Sequence, residues 1–264
     1  MIKIKNVEKV FNRNTVNEKR AIDNLSLEIT KGEFVTIIGS NGAGKTTLLN
    51  LIAGTYIPDK GKIIIDDEDI TTLPEYKRAK YLGRIFQDPL MGTAGSMTIE
   101  ENLAMAELRG KRRGLGWGVK KSKRSFYREL LKSLGLGLEE RLSDPVFLLS
   151  GGQRQSITLL MATLSMPKLL LLDEHTTSLD PKTAQKVIEL TDKIVKENKL
   201  TTIMVTHNMQ QAISYGNRMI MLHEGKIKFD VSGDEKQKLT VEEVVKKFGT
   251  ELTDETLLSA SVSR

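Results

Sequence analysis

No cysteine occurs among the 264 residues, which excludes disulfides and every cysteine-held metal centre. That suits a reducing compartment without requiring one. Long hydrophobic runs are also missing. The longest, such as Leu169 to Leu172, fall far short of the about 20 apolar residues that span a bilayer. The opening Met1-Ile2-Lys3-Ile4-Lys5 has no apolar run of signal-peptide length. The expectation is a chain that does not itself cross a membrane. What is present is ordinary for a globular protein: 39% hydrophobic and 28% charged residues, in a length that suits one large domain or two lobes. The net charge of +6 is a mild lean toward anionic partners, whether nucleotides, lipid headgroups or nucleic acid, and does not choose among them.

One stretch organises the rest. Gly39-Ser40-Asn41-Gly42-Ala43-Gly44-Lys45-Thr46-Thr47 fits the phosphate-loop pattern G-x-x-x-x-G-K-[ST]. Phe34 to Ile38 reads as a buried strand before it, and Leu48 to Ala53 as a helix after it, which is the context the motif needs. Glycines let the backbone turn tightly and approach a phosphate, and the loop amides point inward at the positive end of the helix. Lys45 is placed to bridge β- and γ-phosphates, and Thr46 to offer its hydroxyl to Mg²⁺.

Around this motif, strands and helices alternate. Ile2 to Ile4 reads as an edge strand and Ala21 to Ile29 as a half-buried one. Ile63 to Ile65, Leu169 to Asp173 and Thr201 to Val205 read as strands, and Met219 to Phe229 as a hairpin around Glu224-Gly225. Capping boxes are expected at Thr72–Glu75, Thr98–Glu101 and Thr240–Glu243, each opening a helix. Further helices are expected over Ser125–Leu134, from Ser150 to about Ser165, and after Asp180-Pro181. The pattern implies an α/β core with a mainly parallel sheet, interrupted over 87–167 by a helical insert large enough to be a lobe.

Two further motifs carry chemistry. Leu170-Leu171-Leu172-Asp173-Glu174 is an apolar strand ending in two carboxylates. With a phosphate loop upstream, Asp173 is suited to hold Mg²⁺ and Glu174 to orient or deprotonate an attacking water. Leu149-Ser150-Gly151-Gly152-Gln153 places a serine and two glycine amides at a helix start, a second anion site. One complete phosphate cradle already exists in the chain, so this second site suggests the γ-phosphate of another subunit's nucleotide.

With these motifs, residues 1–230 resemble the nucleotide-binding subunit of an ABC transporter. The resemblance implies a P-loop NTPase core of the RecA-like kind with an antiparallel β subdomain (1–86 and 168–230), a helical signature subdomain (87–167), and a C-terminal helix and loose tail (231–264). It implies ATP and Mg²⁺, and a head-to-tail dimer sandwiching ATP between Gly39–Thr47 of one copy and Ser150–Gln153 of the other. Gln87 matches the glutamine that senses Mg²⁺, Asp180 lies in the loop that speaks across the dimer, and His207 matches the switch histidine that contacts the γ-phosphate. Phe11 sits where the family stacks an aromatic on adenine. The implied catalytic set is Lys45, Gln87, Glu174 and His207, with Thr46, Gln87 and Asp173 at the metal.

The stretch Asp173-Glu174-His175-Thr176, with Thr206-His207-Asn208-Met209, is similar to a subgroup of importer ATPases of the tryptophan/tyrosine type. The chain departs from that subgroup at Thr177 and Ser178, where alanines are usual, and His175 stands where most ABC ATPases have proline. His175 follows the proposed base directly, which suits a catalytic part or, as the favoured expectation, a loop residue at the dimer seam. The basic run Arg109–Arg124, with Trp117, suits lipid headgroups, nucleic acid or simple solvation; the family's helical lobe faces the permease, which favours lipid or permease. Val241, Val244, Val245 and Phe248 fall on one helical face. The implied partners are a second copy, membrane permease subunits and a substrate-binding protein, with no nucleic acid, at the cytoplasmic face of the membrane. The alternative is a soluble ABC ATPase acting on ribosomes or nucleic acid.

Overall fold

The computed structural model describes residues 1–111 and 118–248. In chain order the elements begin with β1 (Ile2–Phe11), β2 (Lys19–Ile29), β3 (Phe34–Ile38), α1 (Lys45–Ala53), β4 (Lys60–Ile65), β5 (Glu68–Asp69) and α2 (Glu75–Arg78). There follow β6 (Leu82–Ile85), α3 (Ile99–Glu107), α4 (Arg124–Lys132), α5 (Gly151–Thr163), β7 (Leu169–Asp173) and α6 (Pro181–Asn198). The chain continues with β8 (Thr202–Val205), α7 (Met209–Ser214), β9 (Arg218–His223), β10 (Lys226–Ser232), α8 (Gly233–Gln237) and α9 (Val241–Phe248). They divide into two compact units, 1–78 with 199–264 and 79–198.

The first unit holds two β layers. An antiparallel sheet runs β2-β1-β4-β5, so β1 is central, and the expected edge strand at Ile2–Ile4 is corrected. Its apolar alternation is compatible with either place; β4, distant in sequence, covers the free side by pairing Ile4 with Ile63. A second layer runs β10-β9-β3-β8, with β3 parallel to both β8 and β9. All five residues of β3 are buried, as a strand covered on both faces requires. Behind it Ile38, Met209, Ala212, Met221 and Val244 form one apolar cluster, so α9 packs on the core as expected. The Phe248 side chain and residues 249–264 lie outside the described residues.

Arg78 anchors α1 from below. Its guanidinium is fully buried and donates to the carbonyls of Leu51 (2.6 Å) and Ile52 (2.9 Å) at the helix C-terminus, and to those of Thr71 and Leu73. A cation there satisfies orphan carbonyls and complements the helix dipole. Burial lowers the Arg78 pKa to about 10, which leaves it charged at neutral pH. The expected box at Thr72–Glu75 does not form, because the Glu75 carboxylate accepts from the Thr55 hydroxyl at 3.1 Å instead.

The second unit pairs β6 with β7 in parallel, Ile85 opposite Leu172. Its helices close over a core that includes Ile99, Leu103, Tyr127, Leu131, Ile157 and Leu160. The Thr98–Glu101 box forms as read, the Glu101 carboxylate accepting from the Thr98 amide at 2.7 Å. The basic run is partly neutralised: Lys123 pairs with Glu107 and Arg124 with Glu100, both at 2.6 Å, and Arg109 reaches the Ala162 carbonyl. Arg112, Arg113 and Trp117 lie outside the described residues.

Candidate active site

In the first unit, β3 delivers the chain to the loop 39–47. Gly44 has φ +104°, and a β-carbon there would stand 2.5 Å from the Ala21 carbonyl, so only glycine fits. The Ala43 amide donates to Ser40, and Ala43 accepts from the Gly225 amide at 3.0 Å, tying the β9–β10 turn to the loop. The Lys45 side chain is buried and donates to the carbonyls of Gly39 (2.6 Å) and Ser40 (3.1 Å). Its ammonium is thereby held inside the curve of the loop, while Asn41, Gly42 and Thr46 are exposed. The free amides at the start of α1 complete an anion cradle.

His207 belongs to the same unit. Ile37 pairs with Val205 across the parallel strands β3 and β8, and the Thr206 amide donates to Ile37 at 3.1 Å. Gly39 and His207 therefore each stand two residues beyond a paired position, at the same end of neighbouring strands. The Thr206 hydroxyl accepts from the Asn208 amide and donates to Gln211, and Asn208 caps α7, so the backbone on both sides of His207 is pinned. Phe11 closes the end of β1, half-buried, with Tyr56 edge-on at 5.2 Å between ring centroids. Asp59 steadies that strand end by accepting from the Val10 amide at 2.7 Å and from Lys9. Tyr56 and Asp59 carried no motif and were not foreseen.

The second unit holds the remaining expected residues. β7 ends in Asp173, buried, with Arg84 of β6 at 3.5 Å. Arg84 was also missed; its only sequence signal is a lone cation in the apolar run Leu82–Ile85. Glu174 follows with φ +46°, a backbone uncommon outside glycine, and its carbonyl accepts from the Thr177 amide at 3.0 Å. His175 is 2% exposed and its Nε2 lies 3.1 Å from the Thr191 hydroxyl of α6. The expectation of a seam residue is thus corrected: the ring turns inward between its loop and α6. Asp180 caps α6 by accepting from the Thr183 amide, and hydrogen bonds from the Thr183 hydroxyl and amide hold its carboxyl below the usual range.

The signature segment also lies here. The Ser150 hydroxyl accepts from the Gln153 amide (3.3 Å) and the Gln153 side chain accepts from the Ser150 amide (3.1 Å), a reciprocal cap on α5. Gly151 and Gly152 are the first residues of the helix, with amides left for an anion. Gln87 is exposed, and its carbonyl accepts from Ser178 at 3.0 Å, joining the glutamine segment to the loop before Asp180. Each unit thus assembles part of the expected set: Phe11, Gly39–Thr47 and His207 in one; Gln87, Ser150–Gln153, Asp173, Glu174 and Asp180 in the other.

The donor set bears on Mg²⁺. Among the described residues no cluster of three or more histidine or carboxylate side chains is built to hold a metal. A hydroxyl, an amide oxygen and one carboxylate suit a hard cation that keeps water and shares substrate phosphate oxygens, which is the way Mg²⁺ is usually bound. Thr46, Gln87 and Asp173 supply those donor types.

A glycine cradle for phosphate at the end of a parallel strand, with a buried lysine inside it, defines a P-loop nucleotide-binding protein. Comparison with known proteins narrows this. The family model described as ABC transporter matches residues 22–177. A tyrosine transport ATP-binding protein of Clostridioides difficile is 50% identical over 248 residues, covering 94% of this chain and 98% of that protein. An energy-coupling factor transporter ATP-binding protein of Acetivibrio thermocellus is 34% identical over 86% of this chain and 78% of its own length. A solved dimer of an ATP-binding cassette, in a post-hydrolysis state with ADP and phosphate, superposes with a TM-score of 0.73 at 32% identity, covering 88% of this chain and 98% of that one. The chain belongs to the ABC transporter family. It is an ATP-binding and hydrolysing subunit that energises a membrane transporter. No helix among the described residues is long and apolar enough to cross a membrane.

Proposed function

We propose that two copies of this chain hydrolyse MgATP as a head-to-tail dimer and drive import of an aromatic amino acid, with tyrosine the first candidate, through a membrane permease. The observation that carries the cargo is the 50% identity, over nearly both full lengths, to a protein named for tyrosine transport. Phe11 offers a face to the adenine. The amides of Gly39–Thr47 and the Lys45 ammonium stabilise charge on the transferring phosphoryl group. Thr46, Gln87 and Asp173 hold Mg²⁺, which neutralises phosphate charge when bound. Glu174 takes the proton of the attacking water, and His207 keeps the γ-phosphate and that carboxylate in register. Ser150 to Gln153, together with the Asp180 loop, close on the nucleotide of the other copy, so turnover requires the dimer.

Closure moves the helical segment 87–167 and, through it, the permease. Leu90, Met91, Phe147 and Leu148 are exposed large apolar side chains, each more than half exposed. Their segments are joined by the Phe147 amide donating to Gly95 at 2.9 Å and the Val146 amide to Met97 at 3.0 Å. Such a patch supports a protein-docking surface. The chain then sits peripherally on the cytoplasmic face, and a separate substrate-binding protein delivers the amino acid.

Isolation of the tagged chain from its own cells in mild detergent tests this reading. A polytopic membrane protein at stoichiometric level is expected, and the reconstituted pair should take up labelled tyrosine only with ATP. Ribosomal proteins or nucleic acid surviving moderate salt would overturn it. Uptake of an unrelated solute would overturn the cargo assignment alone.

A further inference from the structure

We propose that Lys19 is an additional nucleotide-binding residue, its ammonium set for the α-phosphate between the base and the β,γ-phosphate cradle. The proposal rests on the reading of Gly39–Thr47 as that cradle and Phe11 as the base platform. Lys19 and Phe11 are register partners at the mouth of the β1–β2 hairpin, so the lysine starts beside the platform. From there β2 runs along the phosphate loop. The Ala21 carbonyl is 2.5 Å from where a β-carbon on Gly44 would stand, and the Lys19 Nζ is 3.0 Å from the same point on Gly42. Two residues on one strand thus meet two glycines of the loop at matching spacing.

The other nearby cations are committed. Lys45 is turned inward to the carbonyls of Gly39 and Ser40. Arg20 and Lys226 both pair with Asp23, at 2.9 and 3.0 Å. Lys19 is exposed, and its side chain makes no ion pair or hydrogen bond among the described residues. An ammonium with no carboxylate, at Gly42 of the phosphate loop and beside the base platform, is placed for the span that the α-phosphate of a nucleotide crosses. Lysine serves phosphate as a point charge and tolerates such an approach without fixed geometry.

The test measures KM for ATP and Kd for ATP and ADP in Lys19→Ala, Lys19→Arg and Lys19→Glu, with Lys45→Ala and Phe11→Ala alongside. Lys19→Ala should raise KM and both Kd values together by roughly three- to tenfold, as loss of a partly exposed charge contact does. kcat and the melting temperature should move far less. Lys19→Arg should recover most of the affinity, and Lys19→Glu should lose more. ATP and ADP must weaken alike, because both carry the α-phosphate. Unchanged affinity in Lys19→Ala, with Lys45→Ala defective, overturns the assignment of Lys19 alone. Wild-type ATP binding in Lys45→Ala would remove the cradle on which the assignment stands. Unchanged binding in Phe11→Ala would remove the platform, and with it the stated position of the α-phosphate.

Discussion

His175 directs its Nε2 at the Thr191 hydroxyl across 3.1 Å, one residue after Glu174. Thr191 donates its own proton to the Val187 carbonyl at 2.8 Å, so its oxygen accepts and the imidazole carries its proton on Nε2. The ring is neutral and fully enclosed, and burial pushes its pKa down from 6.5 to about 4. Between those values the unfolded chain takes up a proton that the folded one resists, so stability is present above pH 6.5 and falls as pH drops toward 4. The full effect is roughly 3 kcal/mol. Urea melts of the wild type and His175→Gln across this range check it: the variant should show a flatter acid limb.

Gly152 is required by packing and not by its dihedral angles. A β-carbon there would stand 2.1 Å from the Thr183 Cγ2 of α6. Gly152→Ala should cost about 1–3 kcal/mol, as overpacking does. Thr183→Ser removes the methyl and keeps the amide that caps onto Asp180. The double variant should therefore regain most of the stability in thermal melts, which a generic helix effect would not allow.

Arg84 stands 3.5 Å from the Asp173 carboxylate, with both side chains about nine-tenths buried. Removing one member of such a buried pair takes away a compensating charge from the other. Arg84→Ala should lower stability by about 3 kcal/mol in denaturant titration, and Arg84→Lys by less.

The parts of the molecule that were legible in the sequence are those set by local rules. The loop 39–47, the reciprocal caps at Thr98–Glu101 and Thr240–Glu243, the helix start at Ser150, and the hairpin at Glu224-Gly225 each depend on neighbours within a few residues. Long-range partners were not legible. β1 became central because β4 pairs with it; Glu75 left its box for Thr55; His175 went inward because α6 offers Thr191. Arg84 and Lys19 gained their meaning from Asp173 and Gly42, each distant in the chain. Sequence spacing names the chemical groups, while tertiary pairing decides which of them meet.

The most direct test of the account is single-turnover and steady-state hydrolysis by Glu174→Gln. The variant should bind MgATP with near-normal affinity and lose at least about 100-fold in turnover, the scale of a general base. It should also accumulate as a dimer in size-exclusion chromatography with ATP. Near-normal turnover would contradict the assignment of Glu174 as the base, and with it the division of labour between the two carboxylates at the end of β7.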